Sequence, residues 1–273
     1  MATSYNQVVL FGDSLFEKAS FVEDGYSLQS ALQMHCNRRL DVVNRGMSGW
    51  NSRHALQYLP QIFPARSETS PRIEYLVILL GANDATRLDH PSNRQGVSLA
   101  EYESNILSIV NHEHIKAHKA RILLVTPPPL DEIGMALTDL AFGMGEVTRY
   151  ARLSAKFSQA VRDIAAKLQS EGRDVRLLDL HEAIMSEAEK RTPREPGTPL
   201  LGYPGGVRGA LETLLPDGLH INADAYKILY SLIMRNMDAF PPYPEGYVHP
   251  DWWTLVYGKT KDQFMEEQQR NQS

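Results

Sequence analysis

Residues 6–20 read NQVVLFGDSLFEKAS, and the fold turns on how this stretch divides. Val8–Phe11 is an unbroken apolar run, too short for a buried helix and without the alternation of a strand wetted on one side. It suits a strand covered on both faces, the usual state in a parallel sheet. Gly12-Asp13-Ser14 interrupts it, and a helical stretch follows. Four comparable runs occur at Asp41–Asn44, Tyr75–Leu80, Arg121–Thr126 and Val175–Leu180. Helical periodicity lies between them, over Ser27–Arg39 and Leu99–Ala117. It is clearest over Val147–Leu168, where Val147, Tyr150, Leu153, Phe157, Val161, Ile164 and Leu168 recur at three- and four-residue steps. A last helix is predicted over Ala223–Met237 with Asn222 as its cap. Strands alternating with such helices predict a parallel sheet with right-handed crossovers, a doubly wound α/β class of three α/β/α layers over residues 1–240.

Three stretches break the rhythm. Leu130–Gly145, after Pro127-Pro128-Pro129, reads as a glycine-punctuated loop or short helix. Thr192–Gly209 is rich in proline and glycine and carries no periodicity. Phe240–Tyr257, FPPYPEGYVHPDWWTLVY, opens a C-terminal segment (241–273) read as an extended arm packed on the domain or on a second subunit, which makes a homodimer through this arm an expectation.

The 273 residues are 42% apolar and 22% charged, with a net charge of −5 and both signs dispersed. That pattern gives no footprint for nucleic acid or an anionic membrane. The single cysteine, Cys36, allows no internal disulfide and suits a reducing, cytoplasmic setting. No apolar run matches a signal-peptide core or a membrane span. The sequon Asn271-Gln272-Ser273 reads as chance.

In an open parallel sheet, ligands bind beyond the carboxyl ends of the strands. The residues leaving the first three strands are Gly12-Asp13-Ser14, Arg45-Gly46-Met47-Ser48-Gly49-Trp50-Asn51 and Gly81-Ala82-Asn83-Asp84. All are polar, glycine-bearing loops that should converge on one edge. Far downstream, Asp217 and His220 stand three residues apart in a glycine-containing turn. A serine hydroxyl needs an adjacent base to become a nucleophile, and histidine suits that role near neutral pH. The histidine in turn needs an acceptor for its second ring N–H, which Asp217 supplies by folding back. Donors for a developing oxyanion are available from the Ser14 N–H, the Gly46 N–H and the Asn83 carboxamide. Ser14, Asp217 and His220 therefore form the candidate catalytic set, and Trp50 is a candidate wall of the substrate pocket.

Gly12-Asp13-Ser14-Leu15, Gly46, Gly81-Ala82-Asn83-Asp84 and Asp217-Gly218-Leu219-His220 together resemble the four blocks of the SGNH (GDSL) hydrolases. NRGMSGWNSR, LLGANDA, TPPP and DGLHINADAY resemble the isoamyl acetate-hydrolysing esterase branch. The likeness runs from about Val8 to Met237. It implies a flavodoxin-like five-stranded parallel sheet and hydrolysis of a small ester through an acyl-serine, without metal or cofactor. The signature residues fall on Ser14, Gly46, Asn83 and His220, with Asp217 behind the histidine. Phe16-Glu17-Lys18 departs from the smaller polar residues common after the serine. A thioesterase, lysophospholipase, carbohydrate deacetylase or acyltransferase would share the chemistry, and a non-catalytic binding protein would share the fold.

Taken alone, other features read structurally. Ser14 by itself could be a helix cap; Asp13 orders its turn, and Asp84 braces the Asn83 loop. Ser48 has no local base. Asp179 and His181 follow the fifth strand without a partner set. His112, His114 and His118 lack the His-Glu-x-x-His pattern and read as a solvated helix face. GYPGGVRG follows no strand, and YGKTK lacks the first glycine of a phosphate loop.

Overall fold

β1 (Asn6–Gly12) is the strand that precedes the serine, and it lies second in a parallel sheet ordered β2-β1-β3-β4-β5. The others are β2 (Leu40–Gly46), β3 (Ile73–Leu79), β4 (Arg121–Val125) and β5 (Val175–Leu178). The computed structural model describes residues 4–242 and 244–271. The apolar run resolves into two faces. Val8 and Leu10 enter one core with Val77, Leu79, Leu123 and Val125; Val9 and Phe11 enter the other with Leu76, Ile78 and Leu124. Each face is covered, which is why these strands read as continuous rather than alternating.

The first core is closed by α1 (Ser14–Glu17), α2 (Leu28–Cys36) and three later helices. The second is closed by α3 (Ser52–Ile62), α4 (Leu99–Asn111), α5 (Glu113–Lys116) and α7 below. α6 (Glu132–Ala141) covers a small third cluster built on Leu130, Met135 and Ala151. α7 (Ala151–Ser170) follows, then α8 (Leu180–Arg191), α9 (Leu211–Leu214) and α10 (Ala223–Met234). Asn222 caps α10 as expected, its Oδ1 accepting from the Ala225 N–H at 3.0 Å.

Register aligns the chemistry. Gly12 of β1 stands opposite Gly46 of β2 and Leu79 of β3, so the loops leaving these strands emerge at one level. β1 and β3 also flank the point where strand order reverses, the place where such sheets bind ligands.

Several boundaries differ from the periodicity. The helix predicted over Leu99–Ala117 is two helices, because His112 takes an extended backbone (ψ 138°), ends α4 and caps α5 with its own ring. The histidines there are not a solvated face: His118 is buried, its Nδ1 accepting from the Ile73 N–H, and His114 Nδ1 pairs with the Phe63 carbonyl at 2.6 Å. α7 begins at Ala151 rather than Val147, because Thr86 and Arg149 form an antiparallel bridge and the Asp139 carboxylate holds the Thr148 N–H and hydroxyl. α3 and α8 carry no sequence expectation; Asp179 caps the latter and binds Arg162.

The segment after Phe240 is not uniformly extended. Residues 240–242 and 244–250 run against the body, where Val248 N–H donates to the Arg38 carbonyl, the Arg38 guanidinium donates to the carbonyls of His249 and Pro250, and Arg39 donates to that of Pro241. Two helices follow, α11 (Trp252–Tyr257) and α12 (Lys261–Arg270), joined through Trp253, Tyr257 and Phe264. Tyr243 of the arm and Gln272 and Ser273 of the sequon lie outside the described residues.

Candidate active site

β1 delivers its chain directly into the site. Gly12 is closely enclosed by the Leu79 carbonyl and the Phe16 ring, so no side chain fits there. Asp13, fully buried, caps α1 by accepting from the Leu15 N–H at 2.9 Å. The backbone N–H groups of Phe16 and Glu17 are taken by the Asp13 carbonyl. That leaves the Ser14 N–H, first in α1, as a donor with no intrahelical acceptor. Tyr226 of α10 fixes the turn from the other side, its hydroxyl donating to the Leu15 carbonyl at 2.6 Å.

Ser14, His220 and Asp217 meet as the sequence predicts. Ser14 Oγ lies 2.9 Å from His220 Nε2, and His220 Nδ1 lies 2.6 Å from Asp217 Oδ2. An ionised carboxylate only accepts, so Nδ1 carries the proton and Nε2 is free to accept from the serine. The second Asp217 oxygen accepts from the N–H groups of His220 (2.7 Å) and Leu219 (3.0 Å). Burial works against this carboxylate, but the His220 ring and those two N–H groups outweigh it and hold its pKa well below the ordinary range. Thr138 of α6 clamps the turn by donating to the Asp217 carbonyl.

The expected oxyanion donors stand differently from one another. Asn83 is 4% exposed, and its amide orientation is fixed by its partners. Nδ2 donates to the Trp50 carbonyl at 2.8 Å, while Oδ1 accepts from Arg149 at 3.1 Å. One Nδ2 hydrogen is left to donate. Gly46 departs from the expectation: its N–H already donates to Asn44 Oδ1 at 2.8 Å. Its lack of a side chain has another cause, since a Cβ there would overlap the Phe16–Glu17 backbone. Trp50 meets the site through its carbonyl, while its half-buried ring packs on Tyr58 (5.3 Å) and His54.

Asp84 accepts from the Ser52 N–H at the start of α3, tying the Asn83 loop to that helix. Burial pushes the Asp84 carboxyl up to about 6. It pushes Asp13 up to about 7, with Asp84 adding to the rise and the Leu15 N–H and Arg149 opposing it. His181 is half-buried beside Ser158, and desolvation together with the nearby Arg162 lowers its pKa to about 4.

Sequence reasoning missed Arg149, Asn44 and Tyr226. Asn44 had a readable signal, a polar residue closing a buried strand. Arg149 had none, because it lies inside what reads as the start of a helix. Among the described residues no set of three or more His, Cys, Asp or Glu could hold a metal, and no helix is long and apolar enough to cross a membrane. A cleft of about 420 Å³ touches Asp217 and His220 and is walled by Phe21, Val22, Tyr26 and Ile221. A larger groove, about 930 Å³, lies between α7 and residues 197–204 and is lined by none of Ser14, Asn83 and His220.

The family model for GDSL-like Lipase/Acylhydrolase matches residues 8–233. The isoamyl acetate-hydrolyzing esterase of Saccharomyces cerevisiae is 30% identical over 91% of this chain and 94% of its own. A GDSL esterase/lipase of Arabidopsis thaliana is 42% identical over 47% of this chain, which spans about half of that relative's length. In fold, the chain resembles an acetylxylan esterase from Geobacillus stearothermophilus, with a TM-score of 0.55 at 20% identity, covering 86% of this chain and 96% of that one.

Proposed function

Because the chain belongs to the GDSL-like lipase/acylhydrolase family, we propose that it is a serine esterase cleaving small carboxylic esters of short acyl chains. The observation that carries this reading is the continuous Ser14–His220–Asp217 relay. Ser14 Oγ attacks the ester carbonyl as His220 Nε2 takes its proton. The Ser14 N–H and the free Asn83 Nδ2–H receive the oxyanion, and the Gly46 N–H joins them by parting from Asn44 Oδ1. Asp217 stabilises the imidazolium that forms. His220 then protonates the departing alcohol, and water, activated by the same histidine, releases the acid from Ser14. Trp50 belongs to this site as the anchor of Asn83.

Likeness to an esterase named for an acetate ester supports a short substrate. Rates on p-nitrophenyl esters from acetate to palmitate test it. Activity should be highest on the shortest chains, and Ser14→Ala should remove nearly all of it. A long-chain optimum would overturn the small-ester reading; unchanged turnover in Ser14→Ala would overturn the mechanism.

We place residues 1–240 as the catalytic domain and 241–273 as an appended arm. Exposed Trp252, Leu255, Val256 and Met265 on α11 and α12 support docking of a second copy there. Cys36, buried as a free thiol, supports a cytoplasmic setting.

A further inference from the structure

Arg149 is a buried cation with no carboxylate in contact among the described residues. It is 8% exposed, and its guanidinium donates to the carbonyl of Ala82 (Nε, 3.0 Å), to Asn83 Oδ1 (3.1 Å), to Gln95 Oε1 (3.3 Å) and weakly to Thr148 Oγ1. All four acceptors are neutral. Burying a guanidinium without a counterion is costly, and fold stability would be served as well by an apolar side chain. Asp139, the nearest compensation, is engaged with Thr148 rather than with the guanidinium. The cost falls on two consecutive residues of the loop after β3, Ala82 and Asn83.

We propose that Arg149 is a positioning residue for ester hydrolysis, locking the Asn83 carboxamide so that its amide nitrogen faces the reaction and strengthening that N–H as a donor. Two physical effects follow from the contact. Turning the amide over would set its NH₂ against the guanidinium, two donors face to face, so Arg149 permits one orientation only. A cation on Oδ1 also draws electron density through the amide and makes Nδ2–H a better donor, as in any polarised chain of hydrogen bonds. Charge collects on the substrate oxygen only as the tetrahedral species forms, so the benefit appears in kcat rather than KM. Burial lowers the Arg149 pKa from its usual value, while Asp139, Asp13 and Asp217 support the cation; guanidinium groups stay protonated in proteins.

This inference rests on Asn83 as an oxyanion donor, and the experiment separates the two. Asn83→Ala, Arg149→Met, Arg149→Lys and the double variant Asn83→Ala/Arg149→Met are compared on p-nitrophenyl acetate, with thermal unfolding as a check of folding. Asn83→Ala should lower kcat roughly 10²–10³-fold. Arg149→Met should lower kcat at least about tenfold with KM within about twofold. Arg149→Lys, which keeps the charge but loses the planar fork, should fall between parent and Arg149→Met. The double variant should lose far less than the product of the single losses, because Arg149 acts through Asn83. If Asn83→Ala is impaired while Arg149→Met retains the parent kcat, loses only in KM, or combines multiplicatively, the positioning role is wrong and the oxyanion assignment stands. If Asn83→Ala is unimpaired, both fall. Should Arg149→Met not fold, Arg149→Lys decides, and a folded lysine variant with the parent kcat overturns the proposal.

Discussion

Gly46 separates two reasons for a glycine beside an active site. Its backbone N–H was the feature of interest in the sequence, yet the position is closed to a side chain by the Phe16–Glu17 backbone of α1. Backbone cannot rotate away as a flexible side chain can. Gly46→Ala should therefore force β2 and α1 apart at a cost of about 1–3 kcal/mol, as overpacking usually does. At roughly 2–4 °C per kcal/mol for a chain of this size, thermal denaturation should register the loss. Turnover should fall with it, because α1 carries Ser14. An alanine variant with the parent's melting temperature would mean that β2 and α1 separate freely. The meeting of Ser14, His220 and Asp217 was legible, since a serine, a histidine and an aspartate each suggest a partner in such a relay by type. Arg149 was not, because an arginine inside a periodic helix pattern looks like any solvated one.

Elements were legible in kind and less so in extent. The apolar runs located every strand of the sheet, and a capping asparagine located α10, although α11 and α12 follow it. Helix starts were lost where a non-helical partner intervened: the bridge between Thr86 and Arg149 delays α7, and that same bridge brings Arg149 beneath Asn83. The arm divides in the same way. Pro241 and residues 247–250 are held by Arg38 and Arg39, whose guanidinium groups also lie over the Tyr247 ring at 4.3 and 4.6 Å, whereas α11 and α12 expose apolar residues. A chain ending after Pro250 should keep its melting temperature and sediment as a monomer, while one ending at Phe240 should also lose stability. Equal mass for the full chain and the Pro250 truncation would remove the dimer.

At the scale of the molecule, Asp13 and Asp84 are acids buried beside the catalytic loops. An unfolded aspartate ionises near 3.9. Native Asp13, held near 7 by burial, keeps a proton that the unfolded chain has already lost across the interval between. The contribution of Asp13 to stability therefore declines as pH rises from about 4 to about 7 and then levels off. Asp84, raised to about 6, contributes in the same direction. Asp13→Asn retains an acceptor for the Leu15 N–H and removes the ionisation. Its melting temperature should exceed the parent's by a margin that opens between pH 4 and pH 7 and stays constant above. A margin independent of pH would mean that native Asp13 titrates like an exposed carboxylate.

The sequence by itself determined the class of fold and pointed to the groups proposed to react. A strand buried on both faces must be apolar throughout, and a serine nucleophile must have its base and its acid somewhere in the chain. Both are statements about residue type and order. Only the tertiary structure decided which donors are free and which side chains support them. The Gly46 N–H is occupied by Asn44, Asn83 is oriented by Arg149 and Trp50, and Asp217 is clamped by Thr138. A hydrogen bond depends on distance and angle between groups that can lie 211 residues apart in the chain, and no local pattern encodes that.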